Sequence, residues 1–139
     1  MSHTKSQKME EILELAANAL GDITSLVLRE FYQRCPEAKE MFSNLSYGNS
    51  TNLEASMVDA ALYCMMNWID RPLDVTSKLE NAVPLHDYWN VPVEYCVKFQ
   101  RAVFDVIKRA IEDQELHEFL GEIQQELVST IENVSKVES

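Results

Sequence analysis

Leu116, Phe119, Leu120, Ile123, Leu127, Ile131 and Val134 recur at steps of three and four residues near the C-terminus. That spacing lays them along one stripe of an α-helix, and so broad an apolar stripe must be covered by other elements. The same period recurs upstream. Met9, Ile12, Leu13, Ala16 and Leu20 predict a first helix from about Ser6 to Leu20. Ile23, Leu26, Val27 and Phe31 predict a second that ends near Arg34, with Asp22 or Thr24 as its cap. Pro36 suits the first turn of a short helix, PEAKEMF. The stretch SNLSYGNST, residues 43–51, reads as a loop. A long helix follows from about Asn52 to Ile69 and stops before Arg71-Pro72. A shorter segment runs from Thr76 to about Val83 and ends near Pro84 and His86. Pro92 sits in the first turn of the next helix, which reaches about Glu112, and the last runs from about Gln114 to Val134. Only three glycines and four prolines interrupt the 139 residues, and no segment alternates like a strand. The expectation is an all-α chain of six to seven helices.

Val91, Val93, Val97, Phe99, Val103, Phe104, Val106 and Ile107 make the penultimate helix apolar on most sides, which places it in the middle of the core. Unequal helices around one central helix suggest layers with room for a pocket, not an up-down bundle. The length suits one domain over residues 1–139.

A formal net charge of −11 repels phosphate backbones and anionic lipid surfaces, so no nucleic acid and no membrane is expected as a partner. No apolar run approaches the roughly 18 residues of a membrane span, and MSHTKSQKMEE lacks the apolar stretch of a secretory signal. Cys35, Cys64 and Cys96 form an odd set without CxxC spacing, which argues against a disulfide framework or a zinc site. They read as core residues of a cytoplasmic protein. An apolar strip on the first or last helix is a candidate surface for a homodimer or a signalling partner.

AVPLHDYWNVP, residues 82–92, holds the one histidine set among apolar and aromatic residues. A zinc ion needs about four ligands, and nothing near His86 supplies a second and third. His3 lies near the terminus and His117 on a charged turn. If His86 binds a metal, the remaining ligands come from a cofactor. Haem fits, since a porphyrin supplies four nitrogens and the protein one axial base. The bland reading is a helix-end imidazole bonded to carbonyls.

FYQRCPEAKEMF (31–42), LHDYWNVPVEY (85–95) and QELHEFLGEI (114–123) together resemble the globin family, in particular single-domain bacterial globins and the haem domain of flavohaemoglobins. The first stretch resembles the family's second and third helices, with Phe42 at the phenylalanine that packs on haem. The second resembles the proximal segment, with His86 as iron ligand, then Val91 and Tyr95. The third resembles the start of the last helix. The resemblance implies a globin-like fold around a haem-sized pocket, with haem b as cofactor and a diatomic gas (O2, NO or CO) as ligand. It gives His86 the iron through Nε2, with Nδ1–H donated to a carbonyl of its own helix. Val91, Phe99 and Val103 would form an apolar floor that keeps ferrous iron from oxidising.

On the distal side the chain departs from that family. Leu28 stands at the position of its tyrosine. The position of its glutamine falls in one of two registers: Asn52 with Ser56, or Leu53 with Met57. Loss of the phenol argues against nitric-oxide dioxygenation, and no match to the glutamate that supports the proximal histidine is clear, which argues against peroxidase-like chemistry. Met57, Met65 and Met66 fit core filling better than a sixth ligand. Tyr47, Tyr63, Tyr88 and Trp89 read as packing or rim residues, with Tyr47 able to swing over the distal side. Two functions follow as expectations, with a haem-dependent reductase or peroxidase third because no distal acid–base group can be placed for it. One is a gas-binding haem protein for storage, scavenging or sensing. The other is a haem-free sensory or regulatory module of the same fold, which takes an apolar ligand or a protein partner.

Overall fold

A computed structural model describes residues 4–45, 51–88 and 91–137, and among these the chain forms seven α-helices and no strand. They are α1 (Lys5–Leu20), α2 (Thr24–Arg34), α3 (Pro36–Leu45), α4 (Thr51–Asn67), α5 (Pro72–Tyr88), α6 (Val93–Lys108) and α7 (Gln114–Val137). None is long and apolar enough to cross a membrane.

Local chemistry accounts for four of the helix starts. Thr4 and Gln7 close α1 with a capping box: the Thr4 hydroxyl accepts from the Gln7 N–H, and the Gln7 side chain accepts from the Thr4 N–H. The Asp22 carboxylate accepts the Thr24 N–H at 2.9 Å, which starts α2 and holds that carboxyl below its ordinary pKa. Pro36 opens α3 as its fixed φ allows. Asp113 accepts the Leu116 N–H at 3.0 Å and starts α7.

Gly21 ends α1 at φ 64° and ψ −134°, a conformation that side chains with a Cβ avoid, and a Cβ added there meets nothing within 4 Å. Gly121 lies inside α7 with equally open surroundings. Gly21→Ala is therefore expected to destabilise by about 1–3 kcal/mol through backbone strain alone, and Gly121→Ala to stabilise by about 0.5–1 kcal/mol. Urea unfolding of the two variants checks the pair, and shifts of the same sign would contradict it.

Two boundaries differ from expectation. α5 begins four residues earlier than Thr76 and continues through Pro84 to Tyr88. Pro84 offers no N–H to the Glu80 carbonyl and crowds it, a cost that the buried face of Val75, Leu79 and Val83 offsets. α6 ends at Lys108, short of Glu112, because the chain tightens there. Arg109, Ala110 and Ile111 bond three residues back, to the carbonyls of Val106, Ile107 and Lys108. Pro92 is the cap of α6, just outside its first turn.

Buried residues from all seven helices join in one apolar cluster. α6 lies at its centre, with Ala102, Val103, Phe104 and Val106 fully enclosed, and packs chiefly against α7 and α2. Phe31 of α2 has no exposed surface. Its ring stacks on Phe42 at 5.9 Å and meets the edge of Phe99 at 5.0 Å. An ion-pair network joins the outer sides of α2 and α6: Arg34 with Asp105 at 2.6 Å and with Glu30, and Arg109 with Glu30. Such exposed pairs add little stability. The alignment of α2 on α6 comes from the aromatic contacts.

Candidate functional site

A cavity of about 280 Å³ lies between α4, α5 and α6. α4 contributes Leu53, Ser56, Met57, Ala60, Ala61 and Cys64; α5 contributes Lys78, Leu79, Ala82, Val83 and His86. Both sets follow the three- and four-residue steps of a single helix face. Val91, Tyr95, Cys96, Phe99 and Gln100 form the α6 side, with Phe42 and Ile131 at the ends. Ala60, Ala61 and Ala82 are on the lining, and their short side chains leave unfilled the space between α4 and α5 that larger ones would occupy. Ser56, Ala60 and Lys78 are exposed as well as lining, which places the mouth between α4 and α5.

Of the residues singled out in the sequence, Phe42, Leu53, Ser56, Met57, His86, Val91, Tyr95 and Phe99 all meet at this cavity. Asn52 is exposed and lies off it. The register along α4 thus turns Leu53 and Met57 inward, with Ser56 at the rim. Leu28 packs against the core without lining the cavity, and Val103 is buried behind it. Met65 is fully buried, Met66 is exposed, and only Met57 of the three reaches the lining. His117 is exposed. His3, Tyr47 and Trp89 lie outside the described residues, as does the side chain of Tyr88.

His86 is half-buried. Its Nδ1 lies 2.6 Å from the carbonyl oxygen of Ala82, one turn back on α5. A carbonyl only accepts, so Nδ1 carries the proton of that bond, and in the neutral ring the lone pair belongs to Nε2. The His86 carbonyl in turn accepts the Val91 N–H at 2.8 Å, which ties the end of α5 to the start of α6. The ring is therefore fixed in tautomer and in place by backbone groups.

The sulfurs of the wall are poor ligands at neutral pH. Burial raises the Cys96 thiol to about 11, and burial raises Cys64 too, against a smaller opposite pull from the Lys78 charge. Among the described residues no group of three or more His, Cys, Asp or Glu side chains could hold a metal ion. The Gln100 amide, buried at 4% exposure, donates to the Ala61 carbonyl at 3.2 Å and pins α6 to α4.

Two polar links brace the wall from behind. The Tyr95 hydroxyl and the Cys35 thiol both donate to Glu37 Oε1, at 3.3 and 3.4 Å. Burial first, and then Cys35 and Glu37, push the Tyr95 phenol up to about 12. The Glu37 carboxyl is held low by its own backbone N–H and by Cys35. Tyr32 of α2 donates to Glu54 of α4 at 2.6 Å, and burial, then Glu54, raises this phenol well above its ordinary range. Glu54 is the next residue after Leu53, so this bond sets how α4 presents Leu53 and Met57.

Comparison with family models, with curated proteins and with solved structures finds no match to this chain.

Lys78 and Gln100 were not singled out in the sequence, and Cys64 and Cys96 were read only as core residues. Leu79, Ala82, Val83 and His86 carry a usable signal, because they fall at i, i+3, i+4 and i+7. That signal is visible only once the helix is allowed to pass Pro84.

Proposed function

We propose that this chain is a globin-type haem protein that binds a diatomic gas, with His86 as the axial ligand of a haem b iron. One observation carries the reading: a lone imidazole, its Nδ1 committed to the Ala82 carbonyl, lines an apolar cavity together with Phe42, Val91, Tyr95 and Phe99. Among the described residues no group of three or more His, Cys, Asp or Glu could hold a metal ion, and one nitrogen donor suits a macrocycle that brings four of its own. The cavity, at about 280 Å³, lies just below the range for ligand pockets, roughly 300–1,000 Å³. Its open mouth allows the polar edge of a porphyrin to stay in water.

The roles of the residues follow from placement. His86 holds the metal and keeps its ring orientation through Ala82. Phe42 and Phe99 offer aromatic surface to a flat ring, and Val91 excludes water beside the imidazole. When bound, ferrous haem supplies a coordination position for O2, NO or CO. Leu53 and Met57 line the α4 side of the cavity and give no strong hydrogen-bond donor, so O2 is retained less well than by a pocket with a phenol there. That favours sensing or scavenging of NO or CO over O2 storage.

Haemin added to the purified protein is expected to give a saturable absorption band at roughly 400–430 nm that moves on reduction and on addition of CO. A protein that stays colourless at stoichiometric haemin would overturn the reading. The alternative, a haem-free sensory or regulatory module with an apolar ligand, is favoured by one specific observation, the size of the cavity, and would then stand.

A further inference from the structure

The mouth of the cavity carries a cation. Lys78 stands on the same face of α5 as Ala82 and His86, one turn and two turns before them. Its side chain is exposed, yet it lines the cavity. Its Nζ lies 4.8 Å from the ring centroid of Tyr63 on α4, so the ammonium bridges the rim between the two helices. Its charge also acts on the thiol of Cys64 inside the wall. Among the described residues no carboxylate forms an ion pair with Lys78, although acids outnumber bases 23 to 12 in this chain.

We propose that Lys78 makes this mouth an anion subsite and that the cavity takes an amphipathic carboxylate, its apolar body between α4 and α5 and its head on the Lys78 ammonium. The wall is almost wholly apolar, so a carboxylate drawn fully inside would lose its hydration without replacement. At the rim it keeps water on one side and gains a charge-assisted hydrogen bond on the other. The contact that Lys78 makes with Tyr63 is an exposed cation–π contact, which uses one side of the ammonium and leaves N–H donors on its other side for a carboxylate. Ser56, also on the rim, adds a hydroxyl donor. This chemistry has two sources, a fatty acid or the propionates of a porphyrin. The inference goes beyond iron ligation and rests on the cavity and Lys78 alone.

The test compares each acid with its neutral counterpart by equilibrium titration on the full chain: decanoate against decanol, and haemin against haemin dimethyl ester. Wild type is expected to prefer the acid by roughly tenfold or more in at least one pair. Lys78→Met is expected to erase that preference and Lys78→Arg to keep it, with unchanged unfolding midpoints, since the residue is exposed. Preference in the decanoate pair assigns a fatty acid, and preference in the haemin pair alone assigns propionates. Equal binding of acid and neutral form in both pairs, no binding of any of the four, or a preference that survives in Lys78→Met, would overturn the inference. Failure of iron ligation is separate: it shows as the absence of a haemin band and as identical decanoate binding by wild type and His86→Ala.

Discussion

His86→Ala is expected to abolish the haemin band while leaving the helical fold in place. The imidazole is the one nitrogen base on the cavity wall whose lone pair is set by a backbone partner, since Nδ1 is engaged with Ala82. Loss of a group that only orients a metal ligand typically weakens a metal site about 10- to 100-fold, so loss of the ligand itself should weaken haemin retention by more than about 100-fold. The substitution removes a half-buried side chain near a helix end, and alanine favours helix, so the unfolding midpoint should move little. The space left beside Val91 and Val83 suits a free imidazole. Millimolar imidazole added to His86→Ala should therefore restore a band, which a purely structural role for His86 would not predict. Full haemin binding by His86→Ala without imidazole would place the iron ligand elsewhere and remove the basis for the gas-binding proposal.

How far the letters reach is clearest along α5 and α4. The apolar period locates α1, α2 and α7, while Pro36, the loop-like residues 43–51, the Arg71-Pro72 break and the apolar run after Pro92 locate the others. It misplaces the ends where one local rule competes with packing. Pro84 reads as a stop, yet Val75, Leu79 and Val83 bury one face of α5 and the helix runs on to carry His86 on that same face. The early end of α6 is equally hidden, since the switch to three-residue bonds after Lys108 leaves no mark in residue type. On α4 the period alone cannot choose between Asn52 with Ser56 and Leu53 with Met57, for both pairs are helical neighbours. The choice is made across helices, where Glu54 receives Tyr32 and so turns Leu53 and Met57 inward. Lys78 over Tyr63 and Gln100 on Ala61 are likewise tertiary pairings, far apart in sequence and invisible to spacing. Of the eight residues that do converge, Phe42, His86, Val91 and Tyr95 were legible through stretches that resemble one family and Phe99 through the apolar run of α6, whereas Leu53, Ser56 and Met57 were reached only as alternative registers of α4.

Phe31→Ala is expected to be the costliest single truncation for stability, at about 3–5 kcal/mol. Phe31 has no exposed surface, so its removal loses the full transfer free energy and leaves a void walled by three aromatic rings. Those rings belong to different helices: Tyr32 beside it on α2, Phe42 on α3 and Phe99 on α6. Relaxation into the void would need α3 and α6 to move together, and α6 is held by α7 on its far side. Little collapse is therefore available, which puts the cost at the upper part of the range. With a domain stability of roughly 5–15 kcal/mol, such a loss takes about a fifth of the total or more. The melting midpoint should fall by roughly 10 °C or more. Phe31→Leu keeps most of the volume and should recover over half of the loss. The effect should also reach the cavity, because Phe42 and Phe99 line it with the faces and edges that Phe31 supports from behind. Haemin and decanoate should both bind more weakly to Phe31→Ala at temperatures where it is still folded, whereas Gly121→Ala should leave both unchanged. A fall in stability below about 1 kcal/mol would mean that α2 and α6 close over the void, and the aromatic cluster would then not be what sets the cavity wall.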